Sequence, residues 1–158
     1  MSASWTAEFR RELGALYQDL DAEIAQAGPV CQASGRCCRF QEYGHTLFLS
    51  QAEADLLLEP GMPAGSVVSE AGCPYQIGGK CTARERRPIG CRIYYCDPNF
   101  QDQQQPITER FIARLKRMHE QIGRDWRYRP LIDFLREAPP PPALSSDSAG
   151  LVVLNELS

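Results

Sequence analysis

The seven cysteines of this 158-residue chain all lie between residues 31 and 96, and neither flank contains one. Thiolates are soft, charged ligands for zinc, copper(I) and iron–sulfur clusters. In a reducing compartment, clustered cysteines more often form a metal site than a disulfide framework. The spacing therefore predicts a fold that brings two thiol-bearing stretches together around a metal. The first stretch holds Cys31, Cys37 and Cys38, and the second holds Cys73, Cys81, Cys91 and Cys96.

The setting expected from the sequence is the cytoplasm. Charged residues appear by Glu8, Arg10 and Arg11, before an apolar signal region could develop. No stretch approaches the roughly 20 apolar residues that a membrane span needs. A hydrophobic content of 43% and a net charge of −3 are ordinary for a globular protein. We therefore expect no membrane partner and no nucleic-acid partner.

The length fits a single domain followed by a short tail. A chain of this size buries enough surface to fold without staples, so a metal need not be its only support. Four consecutive prolines and a small, polar stretch then mark the tail. The predicted organisation is a domain over 1–138, with a metal-binding core at 31–96, helical flanks at 3–27 and 106–137, and a Pro-rich tail at 139–158.

The N-terminal flank is predicted to be one long amphipathic helix that ends at Gly28 and Pro29. Its apolar residues recur at steps of three or four, and the other faces are polar. A stripe of this kind usually packs against the core of its own domain, and a protein partner that binds this first helix is the alternative. The stripe consists of Trp5, Phe9, Leu13, Leu16, Tyr17, Leu20 and Ile24.

The C-terminal flank predicts a second long helix that opens at Pro106 and Thr108 and stops near Gly123, and then a shorter helix from Pro130 to Glu137. The fold class expected from these elements is mainly α with little strand, a small α+β fold. In it, the helices pack around irregular, cysteine-rich loops.

Between the two cysteine groups, the sequence predicts a short strand over 45–49 and a short helix that follows it. Ser50 and Glu53 have the spacing of a capping box, and the helix runs through Leu58. Residues 71–99 are rich in glycine and proline and are expected to be irregular, with a brief strand at 93–95.

Cations accompany the cysteines in sequence. Positive charge near a thiol lowers its pKa and offsets the charge of a sulfur-rich site. A solvated basic loop is the alternative, since surface arginines seldom need a role. We expect Arg87 and Arg92 to orient and neutralise such a site from outside the ligand set, and Gly90 to permit a close approach of backbone. The cations concerned are Arg36, Arg39, Lys80, Arg84, Arg86, Arg87 and Arg92.

The combined pattern resembles a known family. Cys31-x2-Ser34-x2-Cys37-Cys38 is followed by Cys73-Pro74, Cys81 and Arg87-Pro88-x2-Cys91-Arg92. This arrangement is similar to the CxxCxxCC-type cysteine-cluster proteins, which are described as zinc- or iron-chelating domains. The resemblance covers about residues 31–96, and its double cysteine with Arg-Pro-x-x-Cys-Arg is far more specific than a lone Cys-x-x-Cys.

The resemblance implies a bacterial, cytoplasmic metal-binding protein without defining its biochemical activity. One position departs from the pattern, because Ser34 stands where the family has its second cysteine. Cys96, beyond the usual end of the motif, is our candidate for the missing contact. All seven cysteines are therefore candidate ligands of zinc or of iron, including iron held in an iron–sulfur cluster.

Other roles are open or disfavoured. An iron–sulfur redox enzyme or electron carrier is the main alternative, and a scaffold that uses zinc only to fold is another. His45 is a weaker candidate ligand, and His119 is not expected to be one. No local signature supports a cysteine nucleophile. The aromatic and arginine residues of segment 124–129 are expected to link two helices with the aromatic rings turned inward.

Overall fold

The structure is a computed structural model that describes residues 7–29, 46–78, 80–93 and 99–143. Within these ranges it contains five α-helices, four short β-strands and a 3-10 turn at Arg84–Arg86. In chain order these are α1 (Ala7–Ala27), β1 (Phe48–Ser50), α2 (Gln51–Leu57), β2 (Gln76–Ile77), β3 (Lys80–Cys81), α3 (Ile89–Ile93), α4 (Gln101–Gln121), β4 (Tyr128–Pro130) and α5 (Leu131–Glu137).

The fold is mainly α with a few short antiparallel strands, which confirms the predicted class. β1 pairs with β4, with Leu49 opposite Arg129, and β2 pairs with β3, with Gln76 opposite Cys81. Two or three residues per strand cannot hold a sheet on their own, so the strands depend on the helices that pack against them. Within the described ranges, no helix is both long and apolar enough to cross a membrane.

The two long helices, α1 and α4, form the larger of two hydrophobic clusters, here called the helical core. Every residue of the predicted α1 stripe that the structure describes is buried, and Trp5 lies outside the described residues. The stripe therefore serves tertiary packing, as expected. The helical core consists of Phe9, Leu13, Leu16, Tyr17, Leu20, Ile24, Ala52, Leu56, Ile89, Ile93, Phe100, Ile107, Phe111, Leu115 and Met118.

The α4 helix begins at Gln101, so the prediction that it opens at Pro106 was wrong by one and a half turns. Phe100 is buried in the helical core, and its carbonyl accepts hydrogen bonds from the N–H groups of Gln103 and Gln104, both at 3.0 Å. This anchored start outweighs the lost hydrogen bond of a proline close to the N-terminus. The predicted stop is confirmed, because the helix ends at Gln121 and Gly123 has a φ of 68°.

The second cluster, here called the cysteine-side core, joins the middle of the chain to α5. It lies on the other side of α2 and α3, which contribute residues to both cores. Ala138, just after α5, packs against it, and the Pro142 carbonyl accepts from the Gly65 N–H at 2.8 Å. Its buried residues are Leu47, Leu49, Ala54, Leu57, Met62, Tyr75, Ala83, Cys91, Leu131, Phe134 and Leu135.

The strand and helix expected between the two cysteine groups are both present. β1 lies slightly later than predicted, and Ser50 caps α2 with the capping box that the sequence indicated. The irregular segment after it contains more structure than expected, namely the β2–β3 hairpin and α3. Ile93 ends α3, so its assignment to a strand was wrong, and the rest of that predicted strand lies outside the described residues.

Candidate functional site

Cys91 lies in the middle of the five-residue helix α3 and is buried in the cysteine-side core. Pro88 precedes the helix, and its carbonyl accepts from the N–H groups of Cys91 at 3.0 Å and Arg92 at 3.1 Å. Gly90 faces the chain before β1. A Cβ atom there would stand 2.7 Å from Cδ1 of Leu47 and 3.6 Å from the Phe48 carbonyl oxygen, so the glycine makes room for a leucine side chain and not for the close approach of backbone that was expected. The Arg-Pro-x-x-Cys-Arg motif is thus a short, tightly packed helix.

Cys73 precedes the hairpin β2–β3, and Cys81 is the last residue of β3. The Gln76 N–H donates to the Cys73 carbonyl at 3.1 Å, and Thr82 donates to the Tyr75 carbonyl through its N–H at 2.8 Å. These bonds close the turn on either side of the strands. Both cysteines are half-buried, and both pack against the cysteine-side core that contains Cys91. The three described cysteines of the second group therefore share one hydrophobic core.

The four remaining candidate ligands cannot be placed, because they lie outside the described residues, as does His45. Among the residues that the structure describes, no group of three His, Cys, Asp or Glu side chains could hold a metal ion. The three described thiols are therefore not a complete ligand set by themselves. The four outside the described ranges are Cys31, Cys37, Cys38 and Cys96.

An open depression of about 570 Å³ lies beside Cys73. Its lining includes Pro63, Val67, Gln76 and Ile77 and contains no charged residue. Val67 and Ile77 are among the most exposed large hydrophobic residues in the described ranges. The depression offers a route from solvent to the Cys73 side of the cluster.

Arg92 follows Cys91, and hydrogen bonds, an ion pair and a ring contact fix its side chain. Its guanidinium donates from Nε to the Arg87 carbonyl and from Nη2 to the Glu85 carbonyl, each at 2.6 Å. Nη1 forms an ion pair with Asp21 of α1 at 2.7 Å. The guanidinium carbon also lies 4.1 Å from the centre of the Tyr17 ring, a cation–π contact. Arg92 therefore fastens the loop before α3 to helix α1.

Two other cations near the cysteines also bind backbone. Arg86 donates from Nε to the Leu57 carbonyl at 3.3 Å and lies 5.5 Å from the centre of the Tyr75 ring. Arg87 donates from Nε to the Arg84 carbonyl at 3.2 Å. Arg86 and Arg87 are thus tied into the loop by backbone contacts, whereas Lys80 and Arg84 are exposed, as the alternative of a solvated basic loop expects.

A buried carboxylate, that of Glu53, contacts the first residue of the helix that carries Cys91. Glu53 is 1% exposed and lies on α2 between the two cores. Its Oε2 accepts from the Ile89 N–H at 2.7 Å and the Tyr17 hydroxyl at 3.1 Å. Its Oε1 accepts from the Ser50 N–H and hydroxyl, both at 3.1 Å. One carboxylate therefore joins α1, the start of α2 and the start of α3.

Burial dominates the ionisation of this network. It raises the pKa of Glu53, and the four donated hydrogen bonds, led by that of the Ile89 N–H, act in the opposite direction. Burial also raises the pKa of Tyr17 well above its ordinary value, and the nearby Glu53 charge adds to the effect. Tyr17 is accordingly a permanent hydrogen-bond donor at physiological pH.

Sequence reasoning found Glu53 only as a capping residue and Tyr17 only as part of an apolar stripe. A capping-box glutamate is usually near the surface, and nothing local showed that this one meets Ile89. One signal was present, because Glu53 lies two residues from both Gln51 and Asp55 and therefore on the opposite side of α2 from that polar pair. A glutamate on the apolar side of a helix is expected to be buried, and a buried carboxylate needs partners.

His119 takes no part in this arrangement, as expected. It is fully buried in α4 between Phe9 and Trp126, whose rings meet its imidazole edge-on. Its Nδ1 donates to the Leu115 carbonyl at 2.9 Å, and burial lowers its pKa. Trp126 packs against the helical core, and Tyr128 stacks on it at 5.7 Å while remaining 36% exposed. The inward-facing aromatic link predicted for 124–129 is therefore correct for Trp126 only.

Comparison with known proteins adds no relative to this picture. No protein-family model matches the chain, and neither the curated proteins nor the solved structures contain a match.

Proposed function

We propose that this protein binds metal through clustered cysteine thiolates and acts in the cytoplasm, holding zinc or an iron–sulfur centre. The proposal rests on the resemblance of residues 31–96 to the CxxCxxCC-type chelating domains. The structural observation in its support is that Cys91 belongs to the cysteine-side core and that Cys73 and Cys81 pack against the same core, although the three are spread over 19 positions of the chain and form no three-ligand group among the described residues.

The residues present fit a metal in their chemistry. Thiolates are the ligands that zinc and iron–sulfur centres prefer, and an anionic cluster is stabilised by nearby guanidinium groups. Arg86 and Arg92, which are near Cys81 and Cys91 in sequence, are held by hydrogen bonds to backbone carbonyls. A tetrahedral site takes four ligands, so the first cysteine group or Cys96 would have to supply what the described thiols lack.

The bound group would supply either a rigid cross-link between the two cysteine stretches, in the case of zinc, or electron transfer, in the case of an iron–sulfur centre. The chain itself supplies the thiolates and fixes the α3 segment. An iron–sulfur redox protein is the second candidate function, and no feature of the described residues favours it over zinc binding.

The deciding experiment is elemental analysis of protein prepared without oxygen, combined with an absorption spectrum. Stoichiometric zinc in a colourless protein is the result expected for a structural or storage role, and a brown protein with iron and sulfide would indicate the redox role. Cys91→Ser should lower the metal content per chain, whereas Ser69→Ala, at the edge of the nearby depression, should not. Wild-type protein without zinc or iron would refute the proposal.

If Cys96 replaces the ligand missing at Ser34, then Cys96→Ala should lower the metal content as much as Cys91→Ala does. An unchanged metal content in Cys96→Ala would refute that replacement and leave the rest of the proposal standing.

A further inference from the structure

We propose that the depression beside Cys73 is a docking site for the C-terminal segment of this same chain, namely the apolar run at 151–154, which lies outside the described residues. The depression has a volume of about 570 Å³ and is formed by residues drawn from the stretch 63–78, with no charged side chain in its lining. Val67 and Ile77 are 76% and 54% exposed there. Apolar side chains that share one concave surface mark a site where another apolar group binds.

The chain itself leads to this site. The Gly65 N–H donates to the Pro142 carbonyl at 2.8 Å, and Gly65 belongs to the lining of the depression. Ala138, which follows α5, packs against the cysteine-side core, so the chain is held at two points before it leaves the described range at residue 143. The C-terminal segment therefore starts at the rim of the depression.

The segment fits the site in length and in chemistry. Residues 151–154 are Leu, Val, Val and Leu, four consecutive apolar side chains without a charge among them. The seven residues before them, 144–150, can span about 25 Å when extended, whereas the depression is on the order of 10 Å across. Because the segment is tethered at the rim, its effective concentration at the site is high, which favours it over a second copy or a foreign peptide.

Docking would give Cys73 a cover that the described residues do not provide. Cys73 lines the open depression, and an apolar segment placed over Val67 and Ile77 removes their surface from water. The segment would thus shield Cys73 while it is bound and expose it on release. This contact needs no bound metal, so it stands or falls independently of the proposed metal-binding function.

Photo-crosslinking of the full-length chain tests the contact directly. Val67 is exposed enough to be replaced by benzoylphenylalanine. On irradiation we expect this group to form a covalent bond with residues 151–154, identified by mass spectrometry of the monomer. The same group in place of Phe48, an exposed ring on β1 outside the lining, is the control and should not form this adduct.

Three results of this experiment would overturn the proposal. They are a missing adduct at 151–154 from the Val67 position, equal adducts from the Val67 and Phe48 positions, and adducts found only in crosslinked dimers. The last result would indicate that a second copy occupies the depression.

A matched pair of variants tests the chemistry of the segment. Val153→Asp places a charge in the apolar run, whereas Ser148→Asp places the same charge in the residues before it. Burial of a valine side chain favours the bound form by about 10- to 100-fold, so Val153→Asp should shift the equilibrium towards release by about that factor. Its crosslinking yield from the Val67 position should fall to that of the Phe48 control, and Ser148→Asp should keep the full yield. Equal yields in the two variants would contradict the proposal.

Hydrogen exchange measures the same contact without altering the lining. With the native Val67 in place, amides of residues 63–78 should exchange faster in Val153→Asp than in Ser148→Asp, because release of the segment opens them to water. The amides of α1 should exchange equally in both variants. Equal exchange over 63–78 would overturn the proposal.

Discussion

The two cores of this molecule are built on different principles. The helical core unites two 21-residue helices through periodic apolar stripes, whereas the cysteine-side core is assembled from elements of two to seven residues. Helices of a single turn or two are unstable alone. The second core therefore depends on hydrogen bonds from side chains to backbone, such as those of Glu53 and Arg92. In such a region the backbone positions are fixed by individual hydrogen bonds, and the short elements depend on neighbouring parts of the protein for their stability.

If the protein binds metal as we propose, removing that metal should separate the two cores most sharply. Structural zinc contributes about 10–16 kcal/mol to the folding of small peptides, so its loss is the largest change expected. Treating the metal-loaded protein with a strong chelator should abolish much of the hydrogen-exchange protection of residues 46–93 while α1 and α4 keep theirs. Equal loss of protection in α1 and α4 would show that the two cores are one cooperative unit.

Leu20→Ala tests the helical core by itself. Leu20 is fully buried, and leucine-to-alanine changes in a core typically cost about 2–5 kcal/mol. Urea denaturation should show a loss in this range, while the metal content per folded chain stays at the wild-type value. Val67→Ala, at a residue that is 76% exposed, serves as the control and should change stability by less than about 0.5 kcal/mol. A reduced metal content in Leu20→Ala would show that metal binding depends on the helical core as well.

Arg92→Lys tests the polar fastening of the second core. Lysine keeps the charge but cannot reproduce the three-way geometry of the guanidinium, so a loss of about 1–3 kcal/mol is expected in urea denaturation. Arg114→Lys alters an exposed ion pair with Asp19 and should cost at most about 1 kcal/mol. Equal losses in the two variants would mean that the buried contacts of Arg92 stabilise the protein no more than an exposed ion pair does.

The smallest effect expected is the pH dependence that His119 gives to the helical core. Because burial lowers its folded-state pKa, the unfolded chain binds the proton more readily. Stability should therefore fall as the pH drops below the ordinary histidine pKa of 6.5 towards the lowered value. His119→Phe should remove this component, so its unfolding free energy relative to the wild type should rise on acidification. Parallel pH profiles in urea denaturation would contradict this prediction.

The same contrast explains what the sequence could and could not predict. The buried face of α1 and the capping box at Ser50 follow from local periodicity and spacing, and both predictions were confirmed. The start of α4 was missed because packing at Phe100 outweighed the signal of Pro106. The role of Glu53 was missed because its partners are distant in sequence, and no local rule connects them.

The Glu53 carboxylate also joins stretches of chain that are far apart in sequence. Tyr17 and Ile89 each stand 36 positions from it, one on either side, so both contacts require the closure of long loops. Because the two loops have the same length, their closure costs the same conformational entropy. Contacts of this range raise the contact order, so we expect the chain to fold more slowly than a helical protein with local contacts alone.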